Sequence, residues 1–160
     1  MTAVVSIDSL TERDREEWEG LTRRFHAHWA GRPGRPATEV DDEGYERTWR
    51  RLVDGEEIRG ICARRDGEMV GIAHYLFHAA VWGAGRCYLA ELFVEPRARR
   101  RGIATEMIRW VARDAERHGT PRLYWNTEID AEARSLYDRV AVFQGYILYN
   151  YSRAATTATT

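Results

Sequence analysis

The chain has 160 residues, 44% of them apolar and 31% charged, which suits one globular domain and excludes a disordered polypeptide. A formal net charge of -1 gives no general attraction for nucleic acid or membrane, and no apolar run reaches the ~18 residues of a membrane span. The only two cysteines, Cys62 and Cys87, fall in strand-like runs and read as buried thiols in a reducing compartment, so a soluble cytoplasmic protein is expected.

Residues 4–7 read as a short strand. Thr11 with Asp14 three residues on is a helix-start signal, and Trp18, Leu21, Phe25 and Trp29 then recur at helical spacing. The Gly/Pro-rich run 31–36 breaks that helix. A second helix over 42–52 buries Tyr45, Trp49 and Leu52, and Asp54-Gly55 ends it. Strands at 58–64, 69–77 and 86–94, joined by tight turns, form an antiparallel meander. A helix opening after Gly102 buries Ile103, Met107, Trp110 and Val111, and stops at His118-Gly119-Thr120-Pro121. Residues 122–125 are a short strand, parallel to its predecessor because a helix joins the two. Asp130 is expected to cap a last helix carrying Ala133, Leu136, Tyr137 and Val140, and 143–151 to form a closing strand region. A single domain over 1–153 and a disordered tail over 154–160 are expected.

The informative segment is 89–105, Leu-Ala-Glu-Leu-Phe-Val-Glu-Pro-Arg-Ala-Arg-Arg-Arg-Gly-Ile-Ala-Thr. An apolar strand enters a basic, glycine-bearing turn that opens a helix. The first N–H groups of a helix lack partners, and its dipole adds positive character, so this order makes an anion site for phosphate. The bland alternative is a solvated basic loop or a nucleic-acid patch. Gly102 and Ala104 stand where the helix must begin, which favours the phosphate reading.

The six residues Arg99 to Ala104 match the pattern [Q/R]-x-x-G-x-[G/A]. With Leu92-Phe93-Val94 before them, and Asp130 to Tyr137 placed like the motif N-x-x-A-x-x-x-Y, the chain resembles the GNAT superfamily of acetyl-CoA-dependent N-acetyltransferases. A narrower likeness over 71–151 resembles a branch of bacterial and yeast enzymes that acetylate histones, polyamines or D-amino acids. The resemblance implies an α+β fold: a mixed, mostly antiparallel sheet of six to seven strands, about four helices, and a splayed parallel strand pair at the coenzyme site. It implies acetyl-CoA as cosubstrate and no metal, with Leu92, Phe93 and Val94 offering their backbone edge to the pantetheine arm. Arg99, Arg100, Arg101, Gly102, Ile103, Ala104 and Thr105 would bind the pyrophosphate. Tyr137 would be the general acid, and Asp130, standing where the family has Asn, would touch the pantetheine arm or serve only as a helix cap. Direct attack in a ternary complex is implied, with a homodimer by analogy.

The residues leave other roles open. Glu91 is either the base, taking the amine proton through water, or a salt-bridged surface glutamate. An interior-facing carboxylate with a raised pKa would suit the base. His78 either contacts substrate or fixes the hairpin. His26-x-His28 reads as an exposed helix flank, and no Cys/His set suggests zinc. Trp29, Tyr45, His78 and Trp82 are the expected acceptor wall, with a small amine preferred over a protein tail. A non-catalytic acyl-CoA sensor or scaffold and a histone-tail acetyltransferase are the alternatives.

Overall fold

The computed structural model describes residues 4–30 and 40–151; the expected helix break at 31–36 and the tail at 154–160 lie outside them. One unit ends at Asn126 and a second begins at Thr127.

The first unit runs β1 (Val5–Ser9), a 3-10 turn (Glu12–Asp14), α1 (Arg15–Ala30), α2 (Asp42–Asp54), β2 (Arg59–Arg65), β3 (Glu68–His78), β4 (Arg86–Val94), a second 3-10 turn (Pro96–Ala98), α3 (Ile103–Arg117) and β5 (Arg122–Tyr124). The strands lie in the order of the chain, antiparallel except for the β4–β5 pair, which is parallel. Among the described residues the sheet therefore has five strands rather than six to seven.

Local chemistry explains the boundaries. The Thr11 backbone N–H donates to Asp14 Oδ2 at 2.7 Å and its hydroxyl at 2.9 Å, tying down the entry to α1. Asp41 accepts from the Gly44 N–H at 2.8 Å to cap α2, and Gly55, left-handed at φ 70°, closes it.

Each face of the sheet has its own cover. On one face Trp18, Leu21 and Phe25 of α1 and Tyr45, Trp49 and Leu52 of α2 pack with Cys62, Ile72 and Phe93 of the strands. On the other, α3 buries Ile103, Met107, Ile108, Val111 and Ala115; its Asp114 accepts from the Tyr75 hydroxyl of β3 at 2.7 Å. Trp110, expected in that stripe, is only half-buried, with Arg117 stacked over its ring; Ile108 takes the interior position.

The second unit holds α4 (Arg134–Val140). Asp130 does not cap it. Turns at 128–134 precede the helix, which starts after Ala133, whose carbonyl accepts from the Tyr137 N–H at 3.0 Å. Where a closing strand is expected at 143–151, no strand is assigned among the described residues. No helix among the described residues is long and apolar enough to cross a membrane.

Candidate active site

The site starts from an incomplete pairing. Along β4, Arg86, Cys87 and Tyr88 face Arg122, Leu123 and Tyr124 of β5, and there the parallel ladder ends. Residues Leu89 to Val94 continue to pair with β3 on their other side. Among the described residues no strand pairs with their second edge, a template for an extended ligand with amide groups of its own. The edge includes Leu92, Phe93 and Val94, the residues the family resemblance singles out. The Phe93 side chain itself is buried against Phe25 of α1, ring centroids 5.3 Å apart, so the backbone is what this residue can offer.

A bulge decides which side chain stands at that edge. Tyr75 faces Leu89 and His74 faces Glu91, leaving Ala90 unmatched. Cys87 and Leu89 share the α3 face with Tyr75 and Phe77, and strict alternation would send Glu91 there as well. The extra residue reverses the parity and turns Glu91 to the α1 face. There its Oε2 lies 2.5 Å from His74 Nδ1, and His74 Nε2 accepts from the Trp18 indole N–H at 2.8 Å. Burial alone would raise the Glu91 carboxyl, but the hydrogen bond from His74 and the neighbouring His74 and His26 rings outweigh it. The carboxyl sits below its ordinary value, not at the raised one that would suit an interior-facing base.

Around Glu91 the α1 face is aromatic. His26 Nδ1 lies 2.7 Å from the Tyr45 hydroxyl, so His26 is a half-buried member of this cluster and not an exposed flank. Burial lowers the His26 ring and raises the Tyr45 phenol. Tyr45 is 4% exposed and belongs mostly to the core; Trp29 is partly buried against Phe25. Further along the sheet, His78 lies 2.8 Å from the Ala79 carbonyl through Nδ1 and 2.8 Å from the Tyr124 hydroxyl through Nε2. His78 thus ties the end of the β3–β4 hairpin to β5, while Trp82 in the intervening loop is 88% exposed. Tyr124, its ring tilted 32° against that of Tyr88 at the last β4–β5 pair, has its phenol raised by burial; sequence reasoning overlooked it.

Past β4 the chain enters the basic turn. Arg97 binds Glu95 and Glu68, and Arg99 donates from Nε to the Val94 carbonyl at 2.9 Å, so both guanidinium groups anchor the turn. Arg100 and Arg101 are exposed and have no ion pair among the described residues. Arg100 and Gly102 are left-handed, at φ 58° and 78°. Such alternation turns successive N–H groups toward one concavity. Gly102 leads directly into α3 and its carbonyl accepts from the Glu106 N–H at 3.0 Å, which leaves the N–H groups of Ile103, Ala104 and Thr105 without a helical partner. A Cβ at Gly102 would meet nothing within 4 Å, so the approach is open. Donor chemistry, charge and space all fit an anionic phosphate.

Tyr137 lies on α4 in the second unit, its phenol raised by burial, and Asp130 lies in the turn before that helix. Among the described residues no group of three or more His, Cys, Asp or Glu is placed to hold a metal. The sequence reading missed Trp18 and His74 as site residues. The available signal was a histidine inside the apolar run of β3, because a buried polar ring requires partners.

Comparison with known proteins gives a consistent picture. The family model for the acetyltransferase (GNAT) family matches residues 11–141. Over 150 residues the chain is 29% identical to the D-amino-acid N-acetyltransferase HPA3 of Saccharomyces cerevisiae, covering 91% of this chain and 89% of that protein. The aminoglycoside N-acetyltransferase AAC(6')-Iy, solved in complex with CoA, matches with a TM-score of 0.77 at 18% identity, covering 96% of this chain and 97% of the other. A ribosomal-protein-alanine N-acetyltransferase from Brucella melitensis biovar Abortus 2308 matches at 0.72 and 23%, covering 93% and 99%. At these identities the two solved structures establish likeness of fold.

Proposed function

The chain belongs to the GNAT acetyltransferase family, and we propose that it moves the acetyl group of acetyl-CoA onto the amine of a small molecule by direct attack in a ternary complex. The observation that carries this reading is the open edge of β4, with Glu91 turned to the α1 face by the bulge and the unclaimed N–H groups of the Gly102 turn at the strand's far end.

The parts act as follows. The pyrophosphate rests on the N–H groups between Arg100 and Thr105, with the Arg100 and Arg101 side chains adding charge. The pantetheine arm pairs along Leu92 to Val94, and an N–H of that edge polarises the thioester carbonyl. Glu91, held as a carboxylate, takes a proton from the incoming ammonium through water. The freed nitrogen attacks the carbonyl carbon, the carbon–sulfur bond breaks, the departing thiolate takes a proton, and the nitrogen gives up its surplus proton to solvent as the amide forms. Tyr137 supplies it by its place in the family motif; a phenol raised by burial stays protonated until that moment. A carboxylate beside aromatic rings suits a cationic acceptor. The small-molecule class is supported by the yeast relative, named for D-amino acids.

The test is thiol release from acetyl-CoA over a panel of polyamines, D- and L-amino acids, aminoglycosides and peptides. Turnover with one small-amine class is expected, with Glu91→Gln and Tyr137→Phe each lowering kcat by roughly a hundredfold or more. Tight coenzyme binding without turnover on any amine would refute catalysis, and a peptide-only profile would refute the small-molecule acceptor.

A further inference from the structure

The Trp18–His74–Glu91 chain is longer than a base requires, and it has a direction. An indole N–H only donates, so His74 Nε2, 2.8 Å from it, must be the bare nitrogen. The neutral ring then carries its proton on Nδ1, which donates to Glu91 Oε2 at 2.5 Å. Trp18 is fully buried and His74 is 6% exposed, so water cannot readily replace either bond. Adding a proton at Nε2 would set two N–H groups against each other at that same short distance.

We infer that Trp18 and His74 form a fixed donor chain that keeps Glu91 ionised and aimed, with His74 a positioning residue for amine deprotonation and never the base. This rests on the reading of Glu91 as base. Oε2 is committed to His74, whereas Oε1 accepts no hydrogen bond among the described residues and belongs to a side chain still 37% exposed. The one proton vacancy of the chain therefore lies on the open side, where a water and an amine can reach it.

The other groups around the carboxylate do not substitute for His74. On α1, His26 is engaged with the Tyr45 hydroxyl of α2; Arg23 is bound to Glu19 and Asp42 and lies over the Tyr45 ring. On β3, only His74 donates to Glu91. The arrangement spans three elements: α1 sets the tautomer, β3 carries the relay, and the Ala90 bulge of β4 brings the carboxylate opposite it.

The experiment pairs ring-nitrogen NMR of histidine-labelled enzyme with steady-state kinetics. In the wild-type protein the neutral His74 ring should show the Nδ1–H tautomer. His74→Asn sets an amide N–H near the position of Nδ1 and should keep kcat within about tenfold; His74→Leu should lower kcat about a hundredfold with KM little changed. An Nε2–H tautomer of the neutral ring in the wild type would overturn the inference without help from any variant. Full turnover in His74→Leu, with Glu91→Gln inactive, would remove the positioning role and leave the base. Full turnover in Glu91→Gln would remove the base, and this role with it.

Discussion

Replacing Gly102 by alanine separates backbone strain from ligand binding, because the molecule supplies its own control. Gly102 and Gly67 both have positive φ, 78° and 86°, and an added Cβ meets nothing within 4 Å at either site. Gly67 sits in the β2–β3 turn, whereas Gly102 opens α3. A left-handed L-residue costs about 1–2 kcal/mol, so each variant should lose that much stability with no steric term. For a chain of this size that is a fall in Tm of about 2–8 °C. Only at Gly102 does the methyl enter space beside unclaimed N–H groups. A hydrogen bond from such a group to a charged phosphate oxygen contributes about 1.5–3 kcal/mol, so losing one weakens coenzyme binding about ten- to a hundredfold. Titration calorimetry with CoA, alongside thermal melts, reads both quantities. Matching Tm losses with a raised Kd in Gly102→Ala alone are expected. Unchanged affinity in that variant would refute the phosphate role of the turn, and equal weakening in both would trace the effect to strain.

Two further outcomes follow from buried titratable groups. Burial opposes the charged form of Asp14, but its bonds from Thr11 and Arg64 more than offset this and hold the carboxyl below its ordinary value. Its stabilisation is thus complete above the unfolded value near ~3.9 and is lost as pH falls through the folded one, so the Tm gap between wild type and Asp14→Asn should close between about pH 5 and pH 2; a gap independent of pH would contradict this. Burial pushes the thiols up, Cys62 to about 11 and Cys87 to about 12, so an aromatic disulfide reagent at pH 8 should label neither in the folded protein and both after unfolding. Fast labelling of the native enzyme would show that one of these strands opens.

Much of the fold is legible in the sequence because its signals are local. The Thr11/Asp14 pair, the spacing of Trp18, Leu21 and Phe25, and the turn at Asp66-Gly67 each act within a few residues, and the structure has an element boundary or face at each. The basic turn is legible for the same reason: Gly102 is required at φ 78° by the geometry of one peptide unit. The segment 143–151 is rich in aromatic and branched residues, but such composition alone does not make a strand, and none is assigned there. Asp130 was misread as a cap because a good capping residue does not oblige the helix to begin there; the chain turns for three residues first.

Glu91 shows the deeper limit. Alternation through Cys87 and Leu89 sends position 91 to the α3 face, where a carboxylate would join Met107 and Val111 in an apolar layer and bear the cost of burial without a partner. The conflict is visible in the sequence: a glutamate stands where the period demands an apolar residue. Its resolution is not, because it depends on one unmatched residue, Ala90, and on a histidine 17 positions away that must be facing the carboxylate when the sheet zips. The bulge therefore has two consequences. It relieves a buried charge, and by the same rotation it carries that charge to the side of the sheet where α1 can supply Trp18 through His74. A sequence that removed the extra residue would restore regular pairing and lose the carboxylate from the candidate site, so local irregularity in β4 is the structural requirement for the proposed chemistry.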